Sequence, residues 1–255
     1  MKQILFAISL LFALPCFSQN NQTLKPLLLD KSALSGVGLK AIEMKDEPGK
    51  IFHQKNLYRG EDISVYVVST NSYNNKMENF SIDEFVYMFH GEAFVKPNIG
   101  KSQHFHSGDY FFAPKGFSGE WEILAGKHLH YELSVITTER ASTNSSNLRH
   151  SLFNKSILSG TQIDLTEESK HSEILREGVE LSVTLNAERP SETPLNNAKE
   201  QMIQLLSGQI SITDRENITQ TFYTGDFFVI PKGFNGKWVS QGHGIVKYLA
   251  VEKSY

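Results

Sequence analysis

The sequence has one cysteine, no cluster of basic residues and no apolar run long enough to cross a membrane. Its cysteine, Cys16, lies in an N-terminal segment that we expect to be cleaved, which excludes disulfides and thiolate metal sites from the mature chain. The net charge of −3 offers no positively charged face for phosphates, so we expect no nucleic-acid partner. The longest apolar run, Ile4–Leu14, is about half the roughly 20 residues of a membrane-spanning helix.

Residues 1–18 have the pattern of a secretory signal peptide. Lys2 precedes the apolar run, and Cys16 and Ser18 are the small residues of a cleavage site after residue 18. A buried N-terminal helix or strand is one alternative. A lipoprotein acylated at Cys16 is another, but Pro15 stands where a small residue is wanted. We therefore expect an exported protein, periplasmic or secreted.

The sequence contains an internal repeat. GDYFFAPKGFSGEW at 108–121 returns as GDFFVIPKGFNGKW at 225–238, an offset of 117 residues (225 − 108). The same offset relates EFVYMFHG at 84–91 to QMIQLLSG at 201–208. Such self-similarity indicates two copies of one structural unit.

Short segments rich in Val, Ile, Phe and Tyr, punctuated by Gly, Pro and Asn, fill both copies and favour β-strands. Strands at this spacing are typical of a sandwich or barrel, so we predict an all-β fold. The offset is predicted to hold through the last strand, which pairs Trp121 with Trp238 and Tyr131 with Tyr248.

The predicted domains follow from the repeat and from composition. After the signal peptide come an N-terminal arm (19–50), a first domain (51–138), a linker (139–158) and a second domain (159–255). The linker is rich in Ser and Asn, so we expect it to be exposed.

The spacing Glu84-x6-Gly91 and then Gly108-x5-Pro114-x-Gly116 resembles the two halves of the cupin signature. The PKGF-x-G-x-W endings resemble the cupin group that includes (S)-ureidoglycine aminohydrolase. This resemblance implies two tandem cupin barrels (double-stranded β-helix or jelly roll), and it implies a homodimer as a common assembly. It also implies a hydrolase in which a divalent ion, typically manganese, activates water.

The usual cupin metal ligands are missing from both copies. Metal-binding cupins carry His-x-His before the motif-one Glu and a further His in motif two. Of these eight positions only Glu84 has a suitable donor; the others hold Met77, Asn79, Gly119, Pro194, Asn196, Gln201 and Gly236. We therefore expect no cofactor, with Mn²⁺ as the alternative.

Histidines offer one way to rebuild a metal site. His104 and His106 share one face of a predicted strand, and with Glu84 they form the alternative ligand set. Phe105 between them is also Phe in the second copy, so Phe105 is expected to face the core and both histidines to face outward. The same alignment predicts that His128 and His130, which share a strand face with Glu132, point outward, into solvent or a subunit contact.

A ligand pocket is the main functional expectation for the barrels. A carboxylate such as Glu84 is costly to bury unless it is paired or bound, although it reads equally well as an exposed residue beside Asp83. Indoles either line a pocket or fill the core. The predicted ligand-binding residues are Glu84, Tyr66, Trp121, Tyr131, Gln201 and Trp238. Lys115 and Lys232, on the repeated turns, are expected to be solvated.

These features predict an exported bicupin that binds a small polar molecule without the usual metal. The alternative is a manganese-dependent hydrolase similar to ureidoglycine aminohydrolase. A metal-free isomerase-type cupin with His90 and Tyr131 as acid and base is a third hypothesis. Whether the chain is an enzyme stays open at this point.

Overall fold

The computed structural model describes residues 24–42, 52–126, 129–159 and 163–254. The predicted signal peptide therefore lies outside the described residues, and the predicted arm is described only over 24–42. No helix in these ranges has the length and apolar character needed to span a membrane.

The described chain is almost entirely strand, which confirms the all-β prediction. Strands and helices follow in this order: β1 Leu27–Leu28, α1 Lys31–Leu34, β2 Lys40–Ile42, β3 Phe52–Arg59, β4 Ile63–Thr70, β5 Tyr73–Met77, β6 Glu84–His90, β7 Glu92–Pro97, β8 Gln103–His106, β9 Tyr110–Ala113, β10 Gly119–Leu124, β11 His130–Thr137, β12 Ser151–Leu152, α2 Lys155–Ser159, β13 Lys170–Glu177, β14 Leu181–Glu188, β15 Ser191–Asn196, β16 Gln201–Ser207, β17 Gln209–Asp214, β18 Thr219–Tyr223, β19 Phe227–Ile230, β20 Asn235–Gln241 and β21 Val246–Lys253.

Four antiparallel sheets form two barrels. The first barrel joins the sheet β12-β9-β6-β11-β4-β3-β2 to the sheet β5-β10-β7-β8. The second joins β1-β19-β16-β21-β14-β13 to β15-β20-β17-β18. The described part of the arm bridges the two, since β1 pairs with β19 of the second barrel and β2 with β3 of the first.

The large sheets are buried on both faces because one face fills a barrel and the other packs on the partner barrel. On β6, Val86 and Met88 point into the first barrel, whereas Phe85 and Tyr87 point toward the second. Alternation of the pleat produces this division. The core between the barrels also contains Val183 and Met202 of the second barrel, so the two units share one apolar core.

Two carboxylates clamp the barrels together in a nearly symmetric way. Asp83 accepts hydrogen bonds from the backbone N–H of Lys115 and Glu180, both at 2.7 Å, so a carboxylate of the first barrel bonds the second. Its counterpart Glu200 accepts from the N–H groups of Asp62 and Ile63 in the first barrel, at 2.9 and 3.0 Å. Each carboxylate satisfies backbone donors that the tight contact would otherwise leave unpaired.

Glycines make this close approach feasible. A Cβ atom on Gly60 would lie 2.0 Å from an oxygen of Glu200, and one on Gly178 would lie 2.2 Å from an oxygen of Asp83. Both distances are far below van der Waals contact. Only glycine fits at either position.

The prediction that both repeated lysines are solvated is wrong for Lys115. Its side chain is buried, and Nζ lies 2.7 Å from Oε1 of the buried Glu180. Lys232 is 44% exposed and reaches Glu61 and Asp62 at 3.4 and 3.5 Å. The repeated lysine is therefore part of the contact between barrels.

The predicted linker is not an exposed connection throughout. His150, Phe153 and Leu158 are buried, and β12 adds to the edge of the large sheet beside β9. The high Ser and Asn content of residues 139–158 concealed this in the sequence. The linker thus completes the first barrel.

Candidate ligand-binding site

The first barrel contains a polar row that the sequence alignment of the repeats misplaced. Ser134 pairs with Val86, and Ala250 pairs with Ile203, so the offset is 117 on β6 but 116 on β11 (250 − 134). The loop before β11 holds one extra residue, and the predicted pairing of Tyr131 with Tyr248 is wrong. The structural counterpart of Tyr248 is Glu132.

This one-residue difference reverses the faces predicted for the last strand. His130 is 1% exposed and shares the inner face with Glu132 and Ser134, so the prediction of an outward-facing His130 is wrong. His128, for which the same was predicted, lies outside the described residues. Thr70 lies opposite His130 on the neighbouring strand β4. Together with Glu84 on β6, these side chains form a polar wall inside the barrel.

Hydrogen bonds connect parts of this wall. The Ser134 hydroxyl donates to Oε1 of Glu84, and His130 Nε2 lies 2.8 Å from Oε2 of Glu132. Burial raises the pKa of Glu84 to about 8, and the negative charge of Glu132 adds to the effect. The Ser134 hydrogen bond and the Arg140 charge offset the rise only in part. The protonated, neutral form of Glu84 is therefore favoured at pH 7.

The rest of the interior of the first barrel is aromatic, with residues from both of its sheets. Phe105 and Phe111 stack with ring centroids 4.3 Å apart, and Trp121 lies 6.2 Å from Phe111. His150, from the predicted linker, meets Phe117 at 4.5 Å and Trp121 at 5.1 Å, both edge to face. Burial lowers the pKa of His150 to about 3, and the Arg176 charge adds to this, so its imidazole is neutral.

Several buried polar atoms of the first barrel lack a hydrogen-bond partner among the described residues. Inside the barrel they are Thr70 Oγ1, Trp121 Nε1, His130 Nδ1 and both ring nitrogens of His150, and on the outer groove there is also His53 Nδ1. Buried polar groups in folded proteins are nearly always satisfied, by protein, by ordered water or by a ligand. Arg176 Nε and Gln204 Oε1 of the second unit are also unpartnered, but five of these eight atoms of the described residues lie inside the first barrel, where they could bond ordered water or a bound polar molecule.

The second barrel provides an internal comparison. Trp238 Nε1 donates to Oε1 of Glu188 at 2.7 Å, and Glu188 stands at the position of Thr70, 118 residues further on. His130, Glu132 and Ser134 are replaced there by Val246, Tyr248 and Ala250. The last strand of the second barrel therefore lacks the polar row of the first, and the indole there is satisfied by the protein itself.

The structure divides the predicted ligand-binding residues among three places. Glu84, Tyr66 and Trp121 line the first barrel, with Tyr66 opposite Ser134. Gln201 and Trp238 belong to the second barrel, where Gln201 Nε2 donates to Glu252 at 2.6 Å. Whether any of them binds a ligand stays a prediction.

Tyr131 lies on the opposite face of the large sheet. It stacks on Phe89 at 5.0 Å, and its hydroxyl donates to the carbonyl oxygen of Ala33. It lines an outer groove of about 540 Å³ with its cross-strand partner His90 and with His53. The hypothetical acid–base pair His90 and Tyr131 is thus brought together, but outside the barrel.

The alternative metal-ligand set is not brought together. Glu84 points into the first barrel, while His104 and His106 lie on the outer face of the small sheet, as their alternation with buried Phe105 predicted. The interior donors also fail to fit Mn²⁺, since no three His or carboxylate donors of the described interior lie within ligand distance of one another. No reaction step through a metal follows from this site.

Thr70 and His150 were missed by sequence reasoning, and Glu132 was placed with His130 on the outward face. If the last strands of the two copies had been aligned with a one-residue shift, Glu132 would have matched Tyr248 and would have been assigned to the inner face. The role of Thr70 becomes apparent only from Glu188, which occupies the same position in the second barrel and accepts a hydrogen bond from Trp238. His150 carries no sequence signal, because a lone His in a Ser- and Asn-rich segment looks solvated.

Comparisons with known proteins agree with the architecture. The family model of the EutQ-like cupin domain matches residues 62–131 and 176–249, which together exceed half of the chain. No curated protein matches the sequence.

Solved structures of similar fold have low sequence identity. A protein with unknown function from Pseudomonas syringae pv. tomato is 17% identical, with 90% of this chain and 100% of that chain covered and a TM-score of 0.63. A cupin 2 conserved barrel domain protein from Leptotrichia buccalis is 14% identical, with coverage of 91% and 98% and a TM-score of 0.59. Salicylate 1,2-dioxygenase from Pseudaminobacter salicylatoxidans is 12% identical, with coverage of 90% and 84% and a TM-score of 0.57. At these identities the similarity shows the fold alone, which is that of two tandem cupin barrels.

Proposed function

Because the chain belongs to the EutQ-like cupin domain family, we propose that its first barrel binds a small polar molecule and that its second barrel is a structural partner. One observation carries this proposal. Thr70 and Trp121 leave polar atoms unpaired inside the first barrel, whereas Glu188 and Trp238 bond one another at the same positions of the second. A ligand that accepts from the Trp121 indole would take the place of the missing carboxylate.

The lining residues define the chemistry of this ligand. Neutral Glu84 and the Trp121 indole offer hydrogen-bond donors, and Glu132, paired with His130, offers a carboxylate acceptor. The aromatic residues of the interior suit a ring or a carbon face. A small neutral molecule with hydroxyl and carbonyl groups fits this combination best.

Export belongs to the same proposal. The signal-peptide pattern of residues 1–18 supports a periplasmic or secreted protein. Fractionation of the native host with an antibody, together with N-terminal sequencing of the mature protein, tests it. A full-length protein in the cytoplasm would refute this part without affecting the pocket.

Replacing Thr70 with Glu is expected to close the pocket by copying the second barrel. The new carboxylate would accept from Trp121 Nε1, as Glu188 accepts from Trp238, and it would occupy the space of the ligand. We expect ligand affinity to fall about 100-fold or more, because the Trp121 donor would no longer be available to the ligand. Titration of indole fluorescence with small sugars, hydroxy acids and ureides measures the change.

A Trp238→Phe background leaves Trp121 as the single indole of the chain, so the fluorescence reports on the first barrel alone. Glu188→Thr, the reverse exchange, is the matched control and should leave affinity in the first barrel unchanged. A Thr70→Glu protein that folds and binds as well as its parent would contradict the proposal.

A manganese-dependent hydrolase similar to ureidoglycine aminohydrolase is the second candidate. Its support is the motif-one position of Glu84, which faces inward near Glu132, but the described interior residues do not bring together the three donors that a manganese ion needs. Elemental analysis of protein from its native compartment, combined with an ammonia-release assay on ureides, separates the candidates. Stoichiometric manganese and its loss in Glu84→Gln would favour the hydrolase over the metal-free pocket.

A further inference from the structure

A separate cluster of donor atoms lies on the outer face of the first barrel. His104 Nε2 is 2.7 Å from Oε2 of Glu92, and His106 Nδ1 is 3.7 Å from the same oxygen. One donor atom of each residue lies within 4.8 Å of the other two. Across the described ranges, no other group of three His, Cys, Asp or Glu donors is this compact.

The sheet holds these three side chains in place. His104 and His106 occupy alternate positions of β8, and Glu92 on β7 is the cross-strand partner of His106. Between the two histidines, Phe105 is fully buried and stacks on Phe111, which fixes both histidines on the outer face. The turn after β8 is also fixed, because the N–H of His106 donates to Asp109 at 2.7 Å.

We propose that Glu92, His104 and His106 bind a divalent cation of the zinc type. Two imidazoles and one carboxylate form a donor set suited to Zn²⁺, Ni²⁺ or Cu²⁺, which prefer nitrogen ligands. Three protein ligands leave a coordination position for water or for a group from another molecule. The site is on the outside of the barrel, so it does not depend on the proposed ligand pocket.

The second barrel shows that the fold does not require this cluster. The equivalent positions, 117 residues further on, are Gln209, Thr221 and Tyr223. The structural residues around them are kept: Phe222 stacks on Phe228 as Phe105 does on Phe111, and Asp226 repeats the turn contact of Asp109. The repeat therefore preserves the scaffold and places the three donors in one copy only.

Calorimetric titration of the mature protein with Zn²⁺ tests the site, using protein without a histidine tag that has been treated with a chelator. We expect one Zn²⁺ per chain with affinity in the micromolar range. His104→Ala and His106→Ala should each weaken Zn²⁺ binding at least about 100-fold. Loss of a residue that only orients a metal ligand already weakens binding about 10- to 100-fold, and loss of the ligand itself should have a larger effect. Substitution with Co²⁺ should give visible absorption bands that both variants lose.

His171→Ala is the control, because His171 is a comparably exposed histidine on the second barrel beside a single carboxylate. It should bind Zn²⁺ as the parent does. Circular dichroism verifies that the variants are folded. Absence of Zn²⁺ binding by the parent, or binding that persists in the His104→Ala/His106→Ala double variant, would overturn the proposal.

The repeat also allows a gain-of-function test. Gln209→Glu, Thr221→His and Tyr223→His together place the same donors on the same strands of the second barrel. The stoichiometry should rise from one Zn²⁺ per chain to two. A folded triple variant that still binds one Zn²⁺ would show that these three side chains do not make the site, and would count against the proposal.

Discussion

The Lys115→Met variant is expected to unfold with a free energy about 3–5 kcal/mol lower than that of the parent, since it removes one partner of a buried ion pair. Lys115 Nζ lies 2.7 Å from Glu180, whose side chain is 1% exposed. Methionine keeps much of the volume of the lysine stem but leaves the Glu180 carboxylate buried without its cation. Urea denaturation followed by circular dichroism measures the difference.

Lys232→Met is the matched control because Lys232 occupies the same position of the second copy. Its side chain is 44% exposed, and its contacts with Glu61 and Asp62 are longer, at 3.4 and 3.5 Å. Solvent screens such pairs, so we expect little change in stability. Equal destabilisation by the two substitutions would refute the conclusion that Lys115 belongs to a buried ion pair.

The contact between the barrels gives a physical reason for the repeated PKGF turns. Both turns face the partner barrel, and each lysine meets a carboxylate of the other unit. The same is true of Asp83 and Glu200, which bond backbone N–H groups across the interface. The repeated polar residues therefore serve the association of the barrels, whereas the polar residues inside the first barrel, Thr70, Glu84, His130, Glu132 and Ser134, all differ from their counterparts in the second.

The fold was predictable because its signals are local and occur twice. Alternating apolar residues, turn glycines and the 117-residue offset were enough to predict two all-β units. Face assignment failed on β11, where one extra residue in the preceding loop shifts every side chain to the other face. For this reason His130 lies inside the barrel and Tyr131 outside it, the reverse of what was predicted.

The candidate site was only partly predictable. Glu84 and Trp121 were found because they stand at fixed positions of the repeated motifs. Glu132 and Thr70 were not, since their role depends on which residues they oppose across the sheet. His150 enters the barrel from outside the repeat, where no internal comparison exists. The positions of these three residues inside the barrel depend on contacts between residues far apart in the sequence, which composition does not predict.

Glu84→Gln is expected to make the protein more stable than its parent at pH 8 but not at pH 5. The pKa of Glu84 is raised to about 8 in the folded protein and returns to about 4.5 on unfolding, so the folded state holds the proton more tightly. The parent therefore loses stability as the pH rises from 4.5 to 8, by about 3–5 kcal/mol at 1.36 kcal/mol per pKa unit. Glutamine resembles the protonated acid and is tolerated at the same position of the second barrel as Gln201.

The measured quantity is the difference in unfolding free energy between Glu84→Gln and the parent, from urea denaturation at several pH values. We use this difference because a second group also depends on pH. The pKa of His150 is lowered to about 3, so both proteins lose stability as the pH falls below 6.5, and this contribution cancels in the difference. Glu120→Gln, which removes a 49% exposed carboxylate from the outer face, should follow the parent at every pH. A Glu84→Gln difference that stays constant between pH 5 and pH 8 would mean that Glu84 is ionised in the folded barrel, and the pocket would then present a carboxylate where we infer a donor.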